Sequence, residues 1–155
     1  MGERSTRERG LAAEEEAARF LESRGLSVVE RNVELAGGEL DLIALLPRGE
    51  LGGERDADTV VFVEVRSRAD SRAGSPLETI NRRKRARVRR TATAWLVARD
   101  LWEKVAVRFD VVGITYGTGD TFAEGRERGM AGELSENEEA PRIQWIPGAF
   151  DVDDA

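Results

Sequence analysis

Asp41 and Glu64 are the two residues whose types and surroundings best suit them to act together. Each interrupts an alternating apolar segment, ELDLIALL (39–46) and TVVFVEVRSR (59–68). Strand side chains alternate faces, so Glu39, Asp41, Ile43 and Leu45 share one face of the first segment. Val60, Phe62, Glu64, Arg66 and Arg68 share one face of the second. An antiparallel hairpin that sets Leu45 against Val60 and Ile43 against Phe62 brings Asp41 opposite Glu64 and Glu39 opposite Arg66. This register matches apolar with apolar and polar with polar along the pair. Two carboxylates about 4–5 Å apart repel by roughly 4 kcal/mol at an effective dielectric of 20. A divalent cation between them, protonation of one, or screening by Arg66 and water would relieve that repulsion. The pattern alone also allows an exposed strand end carrying ordinary surface acids.

What the 155-residue chain lacks narrows the chemistry further. It has no Cys and no His. Thiolate nucleophiles, iron–sulfur sites, Ser-His-Asp catalysis and most zinc sites are therefore excluded. A metal here would be a hard, oxygen-preferring ion such as Mg2+ or Mn2+.

A second candidate element follows. RRKRARVRR (82–90) holds seven bases and no acid. Val88, Ala92 and Trp95 form an apolar helical stripe, and Lys84 lies one turn before Val88 on the same face. Docking that stripe on a sheet turns Lys84 towards the carboxylates and leaves Arg83, Arg87 and Arg90 outward, where they suit phosphate contacts. The alternative is a solvated basic face paired with the protein's own acidic tail. Charge is indeed segregated, for residues 117–155 hold ten acids and three bases, whereas 71–99 hold nine bases and one acid. Glu14 sits on the apolar stripe of an amphipathic first helix, from where an acid reaches the same cleft or stays in water.

These residues need elements to position them. Periodicity predicts a helix over about 11–24 that stops at Gly25, and a strand over 26–35 broken by Gly37-Gly38. The segments at 39–46 and 59–68 follow, joined by a polar loop at 47–58. Ser75-Pro76-Leu77-Glu78 has the form of a helix start, with Asn81 recapping a long helix over about 82–99. Strands at 105–114 and 142–147 complete the order α-β-β-β-α-β-β. The expected fold is one α/β domain spanning 1–155, a mixed β-sheet flanked by helices, with polar insertions at 47–58 and 117–141. No apolar run approaches the length of a membrane span, and the acidic N-terminal segment is unlike a signal peptide. The expectation is a cytoplasmic protein with no membrane partner.

The ordered strings GGELDLIA (37–44), VFVEVRSR (61–68), GSPLETI (74–80), the Lys84 helix, RFDVV (108–112) and WIPGAFD (145–151) resemble the bacterial YraN family. That family is assigned to the restriction-endonuclease-like, or PD-(D/E)xK, nuclease superfamily. The resemblance runs from about Ala13 to Asp151 and implies an α-β-β-β-α-β core. It also implies a metal-binding pair, Asp41 and Glu64, with the Val65 carbonyl as a further ligand and Mg2+ or Mn2+ as cofactor. Arg66 takes the place of the superfamily's lysine, Glu39 matches the glutamate of the GGE motif, and Glu14 resembles a first-helix glutamate of the archaeal junction-resolvase branch. The implied function is a metal-dependent endonuclease on branched or structured DNA. The alternatives are an inactive nucleic-acid-binding module, or an adaptor with an acidic protein partner, such as its own tail in a homodimer. Arginine at position 66 cannot act as a base, although it can stabilise developing phosphorane charge.

Overall fold

A computed structural model describes residues 6–50, 57–68, 75–116 and 141–152. The expected element order holds: α1 (Thr6–Ser23), β1 (Ser27–Leu35), β2 (Gly38–Leu46), β3 (Thr59–Arg68), a 3-10 turn (Pro76–Thr79), α2 (Arg82–Ala98), β4 (Ala106–Thr115) and β5 (Arg142–Phe150). Helix α1 begins five residues before the expected start, running through Gly10, with Glu8 in its first turn. Most of the insertion expected at 117–141, and the middle of that at 47–58, lie outside the described residues.

The five strands form one mixed sheet in the order β1-β2-β3-β4-β5. All neighbours are antiparallel except β3 and β4, which run parallel, because α2 carries the chain over the sheet between them. Each face of the sheet is covered by one helix. Ala13, Ala17, Ala18 and Leu21 of α1 pack on Leu42, Ala44, Leu46, Val61, Val63, Val112 and Ile114. Val88, Ala92, Trp95 and Leu96 of α2 pack on Ile43, Val60, Phe62, Phe109 and Val111. Burial on both faces explains why β3 and β4 read as nearly continuous apolar runs. On the α2 side an aromatic row crosses three strands. Phe62 meets Trp95 edge-on at 5.7 Å and stacks on Phe109 at 5.6 Å, and Phe109 stacks on Phe150 at 4.9 Å.

Both turns around α2 follow their sequence signals. Ser75 and Glu78 form a reciprocal capping box on the 3-10 turn, and the Asn81 side chain accepts from the Lys84 N–H at 2.9 Å to start α2. The hairpin between β1 and β2 turns on Ala36 (φ 52°) and Gly37 (φ 74°), two left-handed residues that match the twist of the flanking strands.

At the far edge of the sheet, Asp110 is fully buried and fully engaged. Arg108 donates two hydrogen bonds to it at 2.8 Å, the Trp145 indole N–H one at 2.9 Å, and the Gly148 backbone N–H one at 3.0 Å. This carboxylate fastens β5 to β4 where their register shifts between Phe109 and Val111.

Candidate functional site

The expected register of β2 on β3 is present, with Ile43 against Phe62 and Leu45 against Val60. It stops sooner than expected. The ladder ends at Leu42 and Val63, so Asp41 does not pair with Glu64, nor Glu39 with Arg66. Beyond that point β3 stays with β4, from Glu64 against Val111 to Arg68 against Thr115. Strand β2 stays with β1, with Val33 against Leu40 and Glu34 against Glu39. The two strands therefore part and leave a notch.

Local backbone accounts for how Asp41 enters that notch. Leu42 packs in the α1-side core and Leu40 in the α2-side core, although a regular strand would put both on one face. The neighbouring stretch of β1 contains Asn32 at φ 50°, a left-handed residue that breaks alternation there. Asp41 lies at this crossover, and its Oδ2 accepts the Val65 N–H at 2.9 Å. The carboxylate thus replaces the acceptor that β2 would have supplied. An extended residue directs its N–H and C=O to the same side, so the Val65 carbonyl faces the notch as well.

Glu64 projects on the α2 side, only 2% exposed. Lys84 reaches it from α2, Nζ to Oε2 at 3.5 Å, as its position on the apolar stripe predicted. Burial, and then the nearby Asp41 charge, push the Glu64 carboxyl up to about 7, with Lys84 and Arg66 opposing. Asp41 is raised too, again chiefly by burial, against the hydrogen bond from Val65 and the charges of Lys84 and Arg66. Glu14 is raised by partial burial, against a hydrogen bond from Asn32, and the charges of Asp41 and Glu39 add to the shift. The fold thus brings together Asp41, Glu64, Arg66 and Lys84, with Glu14 near enough to feel the Asp41 charge. Among the described residues, the buried side-chain polar atoms without a hydrogen-bond partner are Glu14 Oε2, Glu64 Oε2 and Arg66 Nε. All three belong to this group. Buried groups left unsatisfied cost stability, and their confinement to one place marks it as built for something other than stability.

An open cleft of about 720 Å³ leads away from Asp41 between α2 and the β1–β2 hairpin. Lys84, Arg87 and Val88 line one wall, and Glu34 to Glu39 line the other. Arg87 is exposed as expected and also lines this open cleft. One correction follows: Glu39 lines it too, paired across the strands with Glu34 rather than Arg66. Arg83 and Arg90 are exposed as expected. Of the remaining bases in the run, Arg85 lies over the Phe150 ring and donates to the Ile80 carbonyl, and Arg89 donates to the Asp151 carbonyl. Arg82, Arg83, Arg87 and Arg90 have no ion pair among the described residues.

Gly38 sets the width of the cleft. A Cβ at this position would lie 2.2 Å from Thr91 Oγ1, whose hydroxyl is buried and donates to the Arg87 carbonyl. The sequence read Gly37-Gly38 only as a strand break, and contact with α2 is not visible in local pattern. Replacing Gly38 with Ala is expected to cost about 1–3 kcal/mol through overpacking. Urea denaturation measures this, and an unchanged midpoint would refute the close approach.

A family model described as "Uncharacterised protein family UPF0102" matches residues 13–114. A UPF0102 protein of Marinobacter nauticus is 35% identical over 153 residues, 99% of this chain and 100% of the relative. One of Pseudomonas aeruginosa is 39% identical over 148 residues, 96% of each chain. One of Chromohalobacter salexigens is 43% identical over 147 residues, 95% of this chain and 94% of the relative.

Proposed function

The chain belongs to the UPF0102 family, the YraN-like proteins, and from that premise we propose that its cleft binds a nucleic-acid backbone for metal-dependent phosphodiester hydrolysis on branched or structured DNA. The observation that carries the reading is the notch itself. Two desolvated carboxylates and a strand carbonyl sit beside a lysine, at the foot of a helix whose Arg82, Arg83, Arg87 and Arg90 make no ion pair among the described residues. The donors fit Mg2+ or Mn2+, since all are hard oxygens and buried Glu64 Oε2 has only the long 3.5 Å ion pair to Lys84 as a partner among the described residues. Asp41, Glu64 and the Val65 carbonyl would hold the ion. Among the described residues no group of three or more Asp or Glu side chains could hold a metal, so Asp41 and Glu64 would be its side-chain ligands without a third. When bound, it supplies Lewis-acid neutralisation of the scissile phosphate.

The chain's own residues do the rest. Lys84 offers a cation beside Glu64 to a phosphate oxygen, and Arg66 a permanent charge to the developing phosphorane. Arg83, Arg87 and Arg90 grip the flanking backbone. Helix α2 places Arg82, Arg83 and Lys84 in its first turn with no acid there, against the helix dipole. Such placement costs about 0.3–1 kcal/mol per charge unless an anion compensates.

Cleavage assays with junction, flap and single-stranded DNA in Mg2+ or Mn2+ test the proposal. Wild type is expected to cut at least one of them, and Asp41→Asn and Glu64→Gln to bind without cutting. Binding without cleavage by wild type would support the second reading, a non-hydrolytic module, which Arg66 in the lysine place favours. Reversing Arg83, Arg87 and Arg90 to Glu is expected to flatten the log-affinity against log-salt slope by roughly 2. An unchanged slope would remove that row from the interface.

A further inference from the structure

The two walls of the cleft carry opposite charge. Lys84 and Arg87 stand on the α2 wall, continued by exposed Arg83 and Arg90. Glu34 and Glu39 stand on the hairpin wall, both exposed and neither engaged in an ion pair or hydrogen bond among the described residues. They are also direct cross-strand partners, Glu34 against Glu39, next to the turn. Like charges placed opposite each other destabilise a hairpin. Nothing among the described residues offsets this pair, so its charge is felt by whatever enters the cleft.

We infer that the cleft admits one phosphodiester strand, an unpaired segment, and rejects continuous duplex. The inference rests on the nucleic-acid reading above and adds the form of substrate. A single strand can lay its phosphates along Lys84 and the arginine row, and turn its bases to the hairpin wall. A duplex brings a second backbone roughly 6–12 Å across a groove from the first. On the hairpin side those phosphates meet Glu34 and Glu39 well within the ~8–10 Å screening length of physiological salt. Repulsion of the wrong partner is then part of the specificity. Among the described residues no aromatic side chain lines the cleft, so the strand is held by its backbone rather than by stacked bases, with little sequence preference.

Fluorescence anisotropy in EDTA tests this with three probes: a single strand as DNA or as RNA, its blunt duplex, and the same duplex carrying a single-stranded gap. Single-stranded and gapped probes are expected to bind about tenfold or more tighter than blunt duplex at equal salt. The double substitution Glu34→Gln and Glu39→Gln is expected to raise duplex affinity several-fold and so narrow that ratio, with single-strand affinity changed less. Equal affinity of wild type for duplex and single strand, or an unchanged ratio in the double variant, would overturn the inference. Failure of the underlying reading looks different. In that case no probe responds to Arg83→Glu with Arg87→Glu.

Discussion

Replacing Asp110 with Ala is expected to destabilise the protein by about 3–5 kcal/mol, the cost of removing one partner from a buried charged pair. Four donors converge on this carboxylate, and without it Arg108, only 13% exposed, loses the buried charge it bonds twice. The Trp145 and Gly148 N–H groups lose their acceptor at the same time. Against a typical total of 5–15 kcal/mol this is a large fraction, and Tm should fall by roughly 10 °C. Urea denaturation and hydrogen exchange measure it, with protection lost first across Arg142–Phe150. A cost under about 1 kcal/mol would mean that the network does not hold β5. Replacing Arg108 as well should cost less than the sum of the two single changes, since each removes the same interaction.

The second large effect has the opposite sign. Glu64→Gln is expected to stabilise the metal-free protein at pH 8 and to leave it nearly unchanged near pH 4. The native carboxyl titrates at about 7 and the unfolded one at 4.5, so between these values the native state holds the extra proton. Stability contributed by the protonated group is fully present below 4.5 and is lost as pH rises through about 7. The difference is worth roughly 3 kcal/mol at this 3%-exposed site. Glutamine removes the term, whereas Lys84, one-third exposed, keeps its hydration. Thermal denaturation across pH 4–8 checks the sign. A variant less stable than wild type at pH 8 would show that the ion pair with Lys84 outweighs burial.

Of these two residues the sequence singled out Glu64 and not Asp110. The β2–β3 register followed from Leu45, Ile43, Val60 and Phe62, because two faces of different polarity allow only one pairing. Lys84 followed from its helical spacing to Val88. The early end of that ladder did not, because Glu39 and Asp41 continue the alternation while beyond Val63 β3 keeps only β4 and β2 keeps only β1, a non-local choice. Asp110 sits inside an unremarkable strand string, and two of its donors lie 35 and 38 residues further on. Asn32 and Gly38 carried only generic signals, an αL-tolerant side chain and a missing Cβ. Their consequences, the turned Asp41 and the narrow cleft, depend on β1 and α2 being in place.

A cation held as proposed would also account for carboxylates kept at a cost. Desolvated acids near one another weaken the fold, a compromise usual where stability is traded for a site. Bound Mg2+ or Mn2+ should return that stability, by about 2.7 kcal/mol at a hundred times the dissociation constant.

Calorimetric titration of Mn2+ into wild type, Asp41→Asn and Glu64→Gln at pH 8 bears most directly on the notch as a cation site. Wild type should show one saturable binding event that is lost or greatly weakened in both variants. Equal binding in all three proteins, or none in wild type, would contradict it.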